Sequence, residues 1–125
     1  MKRNTAASDF TRSCEICSLP MGRPDSDYLA AGGDAEVIIA DAVADVSGPL
    51  IAAMPNLKMI HSEGVAFNRI DLAAASEKGI YVCNCAGMNA SAVAEQAVLL
   101  MLAVLKNAVV NDRAVREGRQ ITAKE

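Results

Sequence analysis

Residues 57–84 read LKMIHSEGVAFNRIDLAAASEKGIYVCN, and the fold is decided there. Two short apolar runs, LKMIHS and IYVCN, flank a segment of good helix formers that closes on Gly79, and this order of elements is a βαβ unit. Between the first strand and the helix lies Glu63-Gly64-Val65-Ala66-Phe67-Asn68. In a parallel sheet that position is the carboxyl end of a strand, where open α/β folds place their ligands. Such a loop can aim backbone N–H groups at an anion, and Gly64 is its one residue without a side chain to block the approach.

Working outward, Val37-Ile38-Ile39-Ala40 has no polar interruption, as expected of a strand buried on both faces. A helix is expected around residues 46–54, ending before Pro55-Asn56, and strands at 57–61 and 80–84. Asn68 or Asp71 can cap the helix between the last two, and Gly79 supplies the left-handed residue that turns the chain back. By the same alternation Cys83 is expected to be buried, with Cys85 partly exposed just past the strand. The predicted class is therefore α/β with a parallel sheet. Residues 1–34, with Pro20, Pro24 and Gly32-Gly33, give no confident long element and are left as an N-terminal arm.

After a loop at 85–89, a helix is predicted from about Ser91 to Asn107, with room to continue to Glu117 and a stop at Gly118. Val93, Ala94 and nearly every residue of 97–105 are apolar, so no single stripe exists and the helix demands cover all round. A second domain or another copy of the chain is the expected cover. Glu95 is expected near that helix's N-terminus, where the dipole favours a carboxylate.

With 125 residues the chain is one ordinary domain, and 52% hydrophobic content is ample for a core although only 3% is aromatic. A formal charge of -3 and no local Lys/Arg cluster argue against nucleic acid as a partner. No run is long enough to cross a bilayer and no signal peptide is apparent, so no membrane partner is expected and the cytoplasm is the default location. Cys14, Cys17, Cys83 and Cys85 read as reduced thiols, neither a zinc set nor a redox motif. No Gly-x-Gly-x-x-Gly, phosphate loop, nucleophile elbow or metal-ligand spacing occurs. His61, the single histidine, has no partner carboxylate or nucleophile placed by sequence and reads as structural.

From residue 57 to about 119, and back to Val37, the chain resembles the D-isomer-specific 2-hydroxyacid dehydrogenases. The match lies in a Gly-Val-Gly-Tyr-Asp-Asn-Ile-Asp-type loop, a Gly-Ile-x-Val-x-Asn strand end and a Val-Ala-Glu helix at this spacing. The resemblance implies a flavodoxin-like substrate domain at 35–88, a three-layer αβα fold that is incomplete relative to the full two-domain dehydrogenase. It also implies that 89–125 hold an interdomain crossover helix and the start of a Rossmann domain for NAD or NADP. It makes Glu63, Gly64 and Val65 the loop whose backbone holds the carboxylate of a small 2-hydroxy or 2-oxo acid. Asn84 and Gly87 become the turn beside the hinge, and Val93 and Glu95 the cofactor-side start of the helix. Family members are dimers, and self-association through 97–105 is expected here.

The second loop glycine is Ala66 in this chain, the tyrosine Phe67, the aspartate Asn68, and Thr-Pro is Cys85-Ala86, which should loosen the hinge. The dinucleotide fingerprint and the family's catalytic arginine, glutamate and histidine would follow beyond Glu125. This chain is thus expected to bind no cofactor by itself and to supply only the carboxylate grip of an oxidoreductase. A non-catalytic dimerisation domain, or a carboxylate sensor on the same fold, is the alternative.

Overall fold

The computed structural model describes residues 14–119. It divides into two compact units, one ending at Ala86 and one beginning at Gly87. In the first, the order is α1 (Asp25–Gly32), β1 (Val37–Ala40), α2 (Gly48–Ala53), β2 (Met59–Ser62), α3 (Leu72–Glu77) and β3 (Tyr81–Cys83). The three strands form one parallel sheet in the order β1-β2-β3, in register at Val37 with Met59 and at Ile60 with Val82. The expected α/β class with parallel crossovers is what the chain adopts.

Each crossover has a local cause. The Ser47 hydroxyl accepts the Leu50 N–H at 3.1 Å to open α2, with Pro49 preset for the first turn. Asp71, and not Asn68, caps α3 by accepting the Ala74 N–H at 3.0 Å. Gly79 at φ 67° supplies the anticipated left-handed turn into β3. The far end of α2 is closed by a group that spacing alone does not reveal. The Lys78 ammonium donates to the carbonyls of Ile51, Ala52 and Met54 at 2.8, 3.1 and 2.9 Å, placing a cation on the negative end of that helix.

The core lies between one face of the sheet and α2 with α3. Leu50, Ile51 and Ala75 from the helices meet Ala40 and Ile60 from the strands, with Ile38 and Val82 packed against them. On the opposite face Val37 and Ile39 are 43% and 60% exposed, and Tyr81 and Cys83 are exposed too. The expectation that β1 is buried on both faces is therefore corrected, as is the expected burial of Cys83. Only alternate residues of each strand meet the helices, so an uninterrupted apolar run did not imply two-sided cover. Within this unit the described helices cover one face of the sheet.

The stretch 25–32, left without a long element in the sequence reading, contains α1. Pro24 precedes it with Asp25 and Asp27 in its first turn, a start that suits the helix dipole. Tyr28 and Leu29 pack on the core, and the Ser47 hydroxyl donates to the Asp25 carboxylate, joining α1 to the start of α2.

The second unit holds α4 (Ala90–Leu105) and α5 (Ala108–Arg116), bent by 61°. The break falls at Asn107, the one non-glycine residue with positive φ (51°) among the described residues. Asparagine tolerates that conformation better than other side-chain-bearing residues. Gly118, at φ 71°, ends α5 where expected. No residue of α4 is buried; Leu99, Leu102 and Leu105 are 58%, 51% and 74% exposed. No single helix among the described residues is long and apolar enough to cross a membrane.

Candidate functional site

Ser62, at the end of β2, is 1% exposed and organises the loop that follows it. Its hydroxyl donates to the Ala66 carbonyl at 2.6 Å and lies 3.4 Å from the Gly64 N–H. The Glu63 N–H donates to the Ala40 carbonyl at 2.9 Å, continuing the ladder beyond β1. Residues just past β3 hold the outside of the loop. The Asn84 side-chain amide donates to the Val65 carbonyl at 2.7 Å and the Cys85 N–H to the Gly64 carbonyl at 2.9 Å. Of the site residues expected from sequence, Glu63, Gly64, Val65 and Asn84 are thus brought together. Ser62 was missed, because a serine inside a short apolar strand carries no signal of which groups it will reach.

The role of Gly64 changes. Its φ is not positive, and a Cβ built there would stand 2.5 Å from the Ala42 Cβ. Glycine is required because the loops after β1 and β2 approach closely, a different reason from leaving room for a ligand. Nor does Ala66 carry strain, since its φ is not positive either. The Glu63 N–H is committed to the sheet and the Gly64 N–H faces Ser62. Among the described residues, only the Val65 N–H of these three has no acceptor, and Val65 is 41% exposed.

Gly87, Val93 and Glu95 fall in the second unit. Gly87 has φ 77°, and all three residues are exposed. Glu95 is the sixth residue of α4, and the first turn of that helix holds no acidic residue. The expected N-terminal dipole contact is corrected: Glu95 sits beyond the free N–H groups, because the helix begins earlier than its sequence suggested.

His61 and Cys85 form a pair that sequence reading did not assemble. The Cys85 Sγ lies 3.7 Å from His61 Nε2 and 3.7 Å from the Ser62 carbonyl oxygen. Away from the loop, an open depression of about 540 Å³ is bordered by Arg23, Tyr28, Val43 and Arg69. It offers no uncommitted cation, because Arg23 pairs with Asp27 at 2.9 Å and Arg69 with Asp45 at 2.8 Å.

The two helices that follow strands have six residues each, and one first-turn amide of each is taken by a side chain, Leu50 N–H by the Ser47 hydroxyl and Ala74 N–H by the Asp71 carboxylate. The loop ahead of α2 carries Asp41 and Asp45, which would repel a pyrophosphate.

A parallel α/β unit with a tied loop at its carboxyl edge defines a class of small-ligand α/β proteins. The model of the D-isomer specific 2-hydroxyacid dehydrogenase catalytic domain matches residues 4–125, and the chain belongs to that family. It is similar to the D-3-phosphoglycerate dehydrogenase of Archaeoglobus fulgidus, 39% identical over 84 residues, covering 67% of this chain and 16% of that one. The glyoxylate reductase of Thermofilum pendens is 39% identical over 74 residues, 59% of this chain and 22% of its own length. The chain therefore spans less than a quarter of these two relatives. Among solved structures, a 2-hydroxyacid dehydrogenase from Ketogulonicigenium vulgare Y25 superposes with a TM-score of 0.70 at 30% identity, covering 77% of this chain and 34% of that one. The D-lactate dehydrogenase of Aquifex aeolicus, solved with NAD and lactic acid, gives a TM-score of 0.68 at 25% identity, over 82% and 30%.

Proposed function

We propose that this chain is the substrate-side part of an NAD- or NADP-dependent 2-hydroxyacid dehydrogenase and grips the carboxylate of a 2-hydroxy or 2-oxo acid through the loop 63–65. The observation that carries this reading is the Val65 amide, left without an acceptor in a loop fixed by Ser62, Asn84 and Cys85. A preset N–H donor costs little reorganisation when an anion arrives. On the same reading residues 35–88 are the substrate domain and 89–125 lead toward a cofactor domain, with Asn84 and Gly87 at the hinge and Val93 and Glu95 on the cofactor side. The chain by itself turns nothing over, because its sequence has no dinucleotide fingerprint. It works in the cytoplasm with its cysteines reduced.

Saturation-transfer NMR with lactate, glyoxylate and neutral lactamide tests the grip. Transfer to the two acids and not to the amide is expected, while equal transfer to all three would remove the carboxylate from the account. NADH fluorescence should stay unchanged up to about 1 mM, since the sequence carries no dinucleotide fingerprint to cradle the pyrophosphate. A saturable emission change below that concentration would show a cofactor site in this chain.

The exposed α4 supports a further part of the proposal, self-association with residues 97–105 inside the contact. Its apolar side chains are more than half exposed at Val98, Leu99, Leu100, Met101 and Leu102.

A further inference from the structure

The thiol of Cys85 and the imidazole of His61 face each other across the ends of β3 and β2, with Sγ 3.7 Å from Nε2. Both residues are half-buried, and they lie on the sheet face that the described helices of this unit leave open. His61 stands in register between Ile39 on one neighbouring strand and Cys83 on the other. Cys85 lies just past the end of β3, and its contact with His61 brings its sulfur to that side of the sheet. On the same sheet face as His61, Ile39 and Tyr81 are 60% and 76% exposed. That surface is apolar and suits a small, uncharged carbon electrophile better than an anion.

We infer that Cys85 and His61 form a nucleophilic thiol site that takes small α,β-unsaturated carbonyl compounds. This is independent of the dehydrogenase reading, because it uses neither the Val65 amide nor a cofactor. In the addition, Sγ bonds to the β-carbon while its proton passes to His61 Nε2. The carbon–carbon double-bond pair moves to the α-carbon, which takes a proton back from the imidazolium. The product is a thioether, nothing leaves, and no oxidant is needed. Cys14 and Cys83 are more exposed than Cys85; Cys83 stands in register with His61, but among the described residues it is Cys85 whose sulfur lies within hydrogen-bond range of the imidazole. Exposure and pairing therefore predict opposite orders of reactivity.

N-ethylmaleimide is the probe, applied in limiting amount to the full chain, with the label at each cysteine followed by peptide mass spectrometry. Cys85 is expected to react about tenfold or more ahead of Cys14 and Cys83, because the imidazole 3.7 Å away can take the thiol proton as the sulfur–carbon bond forms. His61→Gln should bring its rate down to that of Cys83, with far-UV circular dichroism reporting that the fold is retained. Labelling in order of exposure, Cys14 and Cys83 first, would overturn the inference from the unsubstituted chain alone. A folded His61→Gln chain with an unchanged Cys85 rate would overturn it equally.

Discussion

At the scale of single residues, the loop 63–66 is held by contacts that substitutions can separate. Gly64→Ala pushes a methyl group into Ala42 and should destabilise the chain by about 1–3 kcal/mol in urea unfolding, the usual cost of overpacking. Ala42→Gly introduced with it should recover most of that loss, since it removes the atom in the way. Failure of the double substitution to recover stability would mean that the glycine is needed for backbone freedom instead. Ser62→Ala leaves the Ala66 carbonyl without its buried donor and should cost about 1–2 kcal/mol by the same measurement. In the second unit, Arg119 first and Arg113 second hold the Glu117 carboxyl below its ordinary value of 4.5. A depressed carboxyl stabilises the folded form above its unfolded pKa and loses that contribution as pH falls through the folded pKa. The helical signal of α5 should therefore weaken only below about pH 4.5 and only slightly, because exposed pairs are screened by water and salt.

At the scale of elements, Lys78 links two crossovers that periodicity treats separately. Lys78→Met keeps the alkyl stem and removes the charge, leaving the last carbonyls of α2 without their donor. A loss of about 1–2 kcal/mol in thermal unfolding is expected from charged hydrogen bonds at a helix C-terminus. A neutral result would show that water replaces the ammonium at no cost. The strands, the Gly79 turn and the Gly118 stop were legible in sequence because local residue type determines them: β-branched runs, and glycine where φ is positive. Which faces are covered was not legible. Val37 and Ile39 are as apolar as Ile38, and only the placement of α2 and α3 decides that one pair is exposed and the other packed. The Cys85–His61 pair was invisible for a related reason, since 24 residues separate its members and the sheet register brings them together. The onset of α1 was missed because Pro24 and Gly32-Gly33 read as loop, although a proline before the first turn is also a helix start.

At the scale of the whole molecule, α4 sets the demand for a partner. Each large apolar side chain left in water forgoes roughly 1.5–3 kcal/mol of burial. Several such side chains together rival the total stability of a domain of this size. Sedimentation equilibrium at low micromolar concentration should show a dimer or larger species, and Leu99→Glu with Leu102→Glu should shift it toward monomer. A monomer in the unsubstituted chain would contradict self-association. The family resemblance read from the loop, the strand end and the Val-Ala-Glu helix agreed with the family model over residues 4–125. The local motifs carried that reading because they lie in contiguous sequence. The proposed carboxylate grip rests on which amides remain free, and that emerges only when Ala40 and Ser62 are seen to take the others. Amide-resolved nitrogen–proton NMR during titration with glyoxylate tests the grip most directly. The account predicts a saturable shift largest at Val65, with smaller shifts at Asn84 and Cys85. Shifts absent from 63–66, or centred on another part of the chain, would contradict it.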